Sequence, residues 1–348
     1  MNKKLNVAYV YWGKEPHPRR KQCGIAINSS FYRINRSLFH PFGEIIDSFF
    51  LAFKIALKRK YDVILVDSVI ALECAYFLRR LFSPRIKVVF YVVDPTFWPG
   101  SIEKKKIRKM FHLMLGTIVD GFLVPSEMMA NDVKKYFPKK KIQYAPTFLW
   151  RDAKKLRSIM PDLKSKKMIM VAQNRPEKGV DNLVNAYAKA RKIKVLPELF
   201  LIGENTKKYK KRSIPGLVAI GRSEHVLDYL KKSTFLLHPA KFDPSPNVIP
   251  EAMAAGVIPV VSRHCGNYKA VESISKKLLF DGIDSESIRC KIEEIQSISQ
   301  SEIKNFSKNA RLISSDFEKE KGIKIFVRSF NEIVAGVQSK KRMINRRR

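Results

Sequence analysis

Short apolar runs alternate along this chain with stretches whose apolar positions repeat at helical spacing. In the first half, residues 5–12 (LNVAYVYW), 61–67 (YDVILVD), 87–94 (KVVFYVVD), 121–125 and 141–146 read as buried strands. Residues 27–38, 45–57, 71–82, 102–115 and 128–136 read as helices, and a loop rich in Gly, Pro and Arg runs through Gly24. Residues 148–167 are charged and weakly periodic, as a connection would be. The alternation then restarts, with strands at 168–172, 198–203, 217–221, 234–238 and 258–262 and helices at 181–192 and 226–231. A strand-loop follows at 278–284, and helices continue to about residue 334. Strand–helix alternation of this kind implies a parallel sheet covered on both faces. Its doubling predicts two doubly wound α/β domains, at 1–150 and 167–334, with a linker at 151–166 and a basic, solvated tail at 335–348.

Composition narrows the picture. The 348 residues are 45% hydrophobic and 28% charged, which is globular rather than disordered. No apolar run approaches the roughly 18–20 residues of a membrane-spanning helix. The basic start followed by apolar residues superficially resembles a signal peptide, but Asn6 interrupts it and no small-residue cleavage site follows, so a first strand is expected. Cys23, Cys74, Cys265 and Cys290 are scattered without metal-ligand spacing, which makes reduced thiols in the cytoplasm the expectation. No two histidines lie three or four residues apart, and no metal site is expected.

The net charge of +35 calls for an environment or a partner. Nucleic acid and an anionic membrane face both fit, as does a habitat in which surface lysines accumulate. No zinc-finger spacing, basic heptad array or aromatic RNA-binding signature accompanies the charge. A membrane surface therefore ranks above nucleic acid. The basic loop at 14–21 and the helix with Lys104, Lys105, Lys106, Arg108 and Lys109 are the expected membrane face, since Ile107, Met110, Phe111 and Met114 interleave the lysines. Packing of that helix on the sheet is the competing reading.

The chemistry concentrates in residues 242–256, FDPSPNVIPEAMAAG. Pro244 and Pro246 make a turn, Glu251-Ala-Met-Ala-Ala is a good helix, and Gly256 stops it. Strand-like runs precede and follow, so Asp243 and Glu251 lie at the carboxyl end of a buried strand, where open α/β sheets bind ligands. The helix start near Asn247 and Val248 is a place for phosphate. Taken singly, Asp243 is also explained as a turn residue and Glu251 as a complement to the helix dipole.

The segment resembles the signature of retaining glycosyltransferases of family 4, two acids flanking seven residues, then Ala-Met-Ala and glycine. Here Asp243 stands where that family has Glu, and Pro246-Asn247-Val248 precedes the second acid. Val171-Ala-Gln-Asn-Arg-Pro-Glu-Lys-Gly179 is similar to the family's donor-domain loop; Lys178 and Gly179 match, while Gln173 occupies the usual arginine position and Arg175 lies two residues on. The resemblance implies the GT-B architecture, two Rossmann-like domains facing across a cleft. It implies a nucleotide-diphosphate sugar donor, a glycan or lipid-linked acceptor, and transfer with retention. No Asp-x-Asp motif of the kind that holds a metal on a nucleotide sugar is present, so metal independence is expected, and no cofactor is expected. Lys178 and Arg175 would answer the diphosphate, Glu251 the ribose hydroxyls and Asp243 the donor sugar. Asp94 stands where the family often has a catalytic histidine, and would orient or deprotonate the acceptor, unless it only opens the turn at Pro95. Gly24, in the loop Gln22–Ile25, would let backbone approach the diphosphate. His238 is expected as a strand-end residue near the nucleotide. Two readings stay open beside this one. Gln173 and Asp243 are substitutions that a non-catalytic nucleotide-sugar binder would tolerate, and the charge alone would serve a nucleic-acid-binding protein.

Overall fold

The structure, a computed structural model, describes residues 5–34, 42–93 and 106–345. It divides into two compact units, one of residues 1–146 with 320–348 and one of residues 147–319.

The first unit holds a six-stranded sheet in the order β2-β1-β3-β4-β5-β6, every pairing parallel. The strands are β1 (Val7–Trp12), β2 (Ser29–Ile34), β3 (Val63–Val66), β4 (Lys87–Tyr91), β5 (Gly121–Val124) and β6 (Lys141–Tyr144). Between them run α1 (Pro18–Ala26), α2 (Phe42–Leu57), α3 (Val69–Phe77), which continues as a π turn (Leu78–Phe82), α4 (Lys106–Thr117) and α5 (Glu127–Tyr136). Strands β3 and β5 are buried at every position, as the unbroken apolar runs require when both sheet faces are covered.

The second unit holds a five-stranded parallel sheet in the order β11-β10-β7-β8-β9. Its strands are β7 (Met168–Val171), β8 (Leu199–Ile202), β9 (Leu217–Gly221), β10 (Phe235–His238) and β11 (Ile258–Val261). Its helices are α6 (Ala153–Arg157), α7 (Val180–Ile193), α8 (Val226–Lys231), α9 (Val248–Ala255), α10 (Tyr268–Glu272), α11 (Ser285–Ser297) and α12 (Gln300–Ile313). The last helix, α13 (Lys319–Asn345), returns to the first unit. There Phe326 packs on Tyr91 and Ser329 donates a hydrogen bond to the Tyr144 carbonyl.

Several elements differ from the sequence expectation. Residues 27–38 were expected to be helical, yet Ser29–Ile34 is a strand, paired with β1 from Val7–Ser29 to Trp12–Ile34. That ladder satisfies its backbone, and its half-buried edge position hides the alternation from a sequence reading. The expected loop through Gly24 contains α1, opened by Pro18 at a first-turn position and by the His17 side chain accepting the Arg19 N–H. The expected linker carries α6, capped by Asp152, and buries Leu156 in the second unit. Near residue 279 there is only a bridge between Val261 and Leu279 in place of a strand. The expected solvated tail is helical as far as Asn345. Asp94, the loop after it and residues 102–105 of the expected basic helix lie outside the described residues.

Candidate functional site

The site in the second unit forms at the carboxyl ends of β7 and β10, neighbours in the sheet. After β7 the chain makes a 3-10 turn, Pro176–Lys178, and Gly179 leaves it with φ +73 to start α7. A Cβ at Gly179 would lie 2.2 Å from the Pro239 carbonyl oxygen, so this position needs glycine for both its backbone and its close packing. After β10 the chain runs through Lys241 and Phe242, whose N–H groups both donate to the Glu177 carbonyl. These two bonds hold one loop against the other. Asp243 is fixed in turn by its N–H to the His264 carbonyl and by its own carbonyl, which accepts from Gly266.

This frame brings three charged groups together. The Nζ of Lys178 lies 2.7 Å from Oδ2 of Asp243, and Nε2 of His238 lies 2.9 Å from the same oxygen. Burial alone would raise the Asp243 pKa, but Lys178 and the hydrogen bond from His238 outweigh it and hold the carboxyl well below its usual range. For His238, burial lowers the pKa, while Cys265 and Asp243 raise it to a net value of about 9. The cluster therefore sets a lysine amine and an imidazole nitrogen against one carboxylate oxygen. Nδ1 of His238 is buried without a hydrogen-bond partner.

Glu251, in the first turn of α9, is 5% exposed. The Nε of Arg151 donates to its Oε1 at 3.1 Å, and the Arg151 guanidinium also lies over the Trp150 ring, 4.5 Å from its centroid. Burial raises the Glu251 pKa, Arg151 opposes it, and the net value is about 7. Asn247 occupies the cap of α9 and Val248 its first position. The turn before the helix is pinned by Asn267, which donates to the Pro246 carbonyl at 3.1 Å, and by a 2.6 Å contact between the hydroxyls of Thr147 and Ser245.

Lys178, Gly179, Asp243, Asn247, Val248 and Glu251 thus all lie in the loops and helix starts that follow β7 and β10. Arg175 precedes the same turn, half exposed, with its Nε 3.1 Å from Glu177. Gln173, at the expected arginine position, donates from Nε2 to Glu204 at 2.6 Å. Gly24 is corrected in place and reason. It lies inside α1 in the first unit, and a Cβ there would stand 2.5 Å from the Tyr9 ring and 2.6 Å from Phe31. Tight helix–sheet packing explains that glycine, and it opens no loop.

Sequence reading missed Arg151, in the stretch taken as linker, and the bond from His238 to Asp243. No local signal points to either, because both partners are set by the tertiary fold. It also missed a polar cluster in the first unit, where Asp67 follows β3. The Tyr9 hydroxyl donates to Asp67 at 2.9 Å and Arg20 pairs with it at 2.7 Å. Among the described residues, no group of three or more His, Cys, Asp or Glu is arranged to hold a metal ion.

Residues 152–313 match the family of glycosyl transferases group 1. The match spans most of the second unit and includes Lys178, Asp243 and Glu251. No curated protein sequence matches the chain. Among solved structures, sucrose-phosphate synthase from Thermosynechococcus elongatus superposes with a TM-score of 0.76 at 14% identity, covering 95% of this chain and 100% of that one. The α,α-trehalose 6-phosphate synthase of Burkholderia multivorans gives 0.73 at 11% identity, covering 97% and 98%. Anabaena Alr3699/HepE in complex with UDP-glucose gives 0.72 at 15% identity, covering 94% and 100%. The expected fold class, two doubly wound Rossmann-like α/β units of the GT-B type, is the observed one.

Proposed function

We propose that this protein is a glycosyltransferase that moves a sugar from a nucleotide diphosphate to an acceptor with retention of configuration. The observation that carries the reading is the Lys178–Asp243–His238 cluster, with Glu251 in the helix that follows, within a segment that matches glycosyl transferases group 1. In the reaction the bond between the sugar C1 and the β-phosphate oxygen breaks, and its electron pair leaves with the phosphate. The acceptor oxygen bonds to C1 on the same face, and its proton passes to the departing phosphate.

Lys178 answers the charge that develops on the diphosphate, helped by Arg175 and by the backbone N–H groups at the start of α9. Asp243 holds hydroxyls of the donor sugar, and Glu251 accepts the ribose hydroxyls. Asp243 pairs with Lys178 and Glu251 with Arg151, so donor binding exchanges one set of partners for another. Asp94 is assigned to the acceptor. A glycan or lipid-linked acceptor fits the reading, and UDP-sugars are the first donors to try because a structural relative was solved with UDP-glucose.

The test is a thermal-shift screen of uridine and guanosine sugar nucleotides, followed by product analysis of the best donor by NMR. A stabilising donor, and a product whose anomeric configuration matches that donor, are expected; no shift with any donor, or inversion, overturns the reading. A second reading, a non-catalytic nucleotide-sugar binder, is favoured by one observation. Gln173 and Glu204 pair where the resemblance calls for an arginine. Donor binding with neither transfer nor hydrolysis would establish it.

A further inference from the structure

Helix α2 leaves one apolar face uncovered. Ile46, Phe49, Phe50, Phe53 and Leu57 recur at helical spacing and all are exposed, Phe50 to 62% and Leu57 to 65%. Leu81, on the π turn after α3, is 58% exposed. The aromatic rings form one cluster. The Phe49 centroid lies 5.8 Å from Phe50, 5.6 Å from Phe77 and 5.7 Å from Phe82, and Phe53 lies 5.5 Å from Phe82. The opposite side of α2 buries Ser48, Ala52 and Ile55 in the first unit, so packing fixes which face points outward. A contiguous exposed patch of large apolar side chains marks an interaction surface.

Charge selects the partner. Neither residues 48–61 nor residues 78–86 contain an acid, while Lys54, Lys58, Arg59, Lys60, Arg80 and Arg85 all fall within them and are exposed. The nearest acid on α2 is Asp47, half-buried near its start. Past the C-terminal end of the helix lies a cavity of about 1120 Å³, walled by Ile55, Leu78 and Phe82 and carrying Arg59, Lys60 and Arg85. Phe82 belongs both to the aromatic cluster and to the cavity wall, so patch and cations are continuous. Asp62, the acid in that wall, accepts the Asn6 N–H. A second copy of a chain with net charge +35 would bring like charge to this face. A bilayer with anionic headgroups offers an apolar layer for the rings and phosphates for the cations.

We propose that α2 and the adjoining π turn dock on an anionic lipid bilayer. Phe50, Phe53, Leu57 and Leu81 sit at the headgroup–acyl boundary, and Arg59, Lys60 and Arg85 engage lipid phosphates. The docking requires no nucleotide sugar, so it stands or falls separately from the transferase reading. It also places the contact on a different helix from α4, which begins at Lys106.

The experiment is sedimentation of the full chain with vesicles of phosphatidylglycerol and phosphatidylcholine, or of phosphatidylcholine alone, at low and high salt. Three proteins are compared: the unaltered chain, a Phe50→Ala, Phe53→Ala, Leu57→Ala variant, and a Lys104→Glu, Lys105→Glu, Lys106→Glu variant. Because the three apolar positions are exposed, the alanine variant should keep its circular dichroism and melting temperature. Expected are salt-sensitive binding to anionic vesicles only, and binding at least about tenfold weaker in the alanine variant, given the apolar area each side chain offers. A Phe50→Trp variant should show a blue-shifted emission increment on the same vesicles. The proposal is overturned if the unaltered chain ignores anionic vesicles, if the alanine variant binds them as well as it does, or if light scattering finds an oligomer that the alanine substitutions dissociate, which would make the face an interface between copies.

Discussion

The ammonium of Lys178 and the carboxylate of Asp243 form a 2.7 Å ion pair at the carboxyl ends of two adjacent strands, with His238 on the same carboxylate oxygen. Each group is thus already paired in this structure. A ligand that draws Lys178 to a phosphate must leave Asp243 another partner, and a sugar hydroxyl together with His238 can supply it.

Lys178→Ala should weaken binding of nucleoside diphosphates by about 2–5 kcal/mol, the usual loss when a charged partner to a ligand is removed. Isothermal titration with UDP and GDP measures it. Affinity equal to that of the unaltered protein for both would place the diphosphate elsewhere.

Asp243→Asn should lower kcat while leaving nucleoside diphosphate affinity unchanged or stronger, because the substitution releases Lys178 from its competing ion pair. A parallel loss of kcat and of affinity for the bare diphosphate would contradict the assigned role. Turnover is also expected to persist in a chelator, which a rate measurement with and without EDTA checks directly.

Glu251→Gln should trade turnover for stability in a pH-dependent way. The folded-state pKa is about 7 because burial disfavours the ionised form. The folded protein therefore binds more protons than the unfolded chain between about pH 4.5 and 7, and stability falls as pH rises through that window. Glutamine removes the ionised form, so the variant should exceed the unaltered protein by about 1–3 kcal/mol at pH 8 and by little at pH 4.5. Denaturant melts at the two pH values decide this.

His238 has the same dependence with the opposite charge. Its folded pKa, about 9, lies above the unfolded value, so its stabilising bond to Asp243 is complete below about pH 6.5 and fades as pH rises through 9. His238→Gln should thus be destabilising by about 2–3 kcal/mol at pH 6 and by much less at pH 10. A difference that does not change with pH would mean that the imidazole is neutral throughout.

Gly24→Ala should destabilise the protein by about 1–3 kcal/mol through overpacking against Tyr9 and Phe31. Nucleoside diphosphate affinity should stay as it was. Reduced affinity in a variant of unchanged melting temperature would restore the loop role that the sequence implied.

Wherever structure is written in local pattern, the sequence was enough. The unbroken run of β3, the periodicity of α7, and the proline-rich turn and small-residue helix of α9 were all legible. Strand β2 and helix α1 were not. The first depends on a ladder with β1, and the second is a short helix of polar and basic residues opened by a proline. The partners of the site residues were equally hidden, since Arg151 reaches Glu251 from a charged stretch without periodicity. What the fold alone decided is that β10 lies beside β7 in a parallel sheet. That pairing brings the loops after both strands to one end, and it places Lys178 against an acid far from it in the chain. Periodicity records how each segment meets water and core, whereas the choice of neighbouring strand belongs to the packing of the whole sheet.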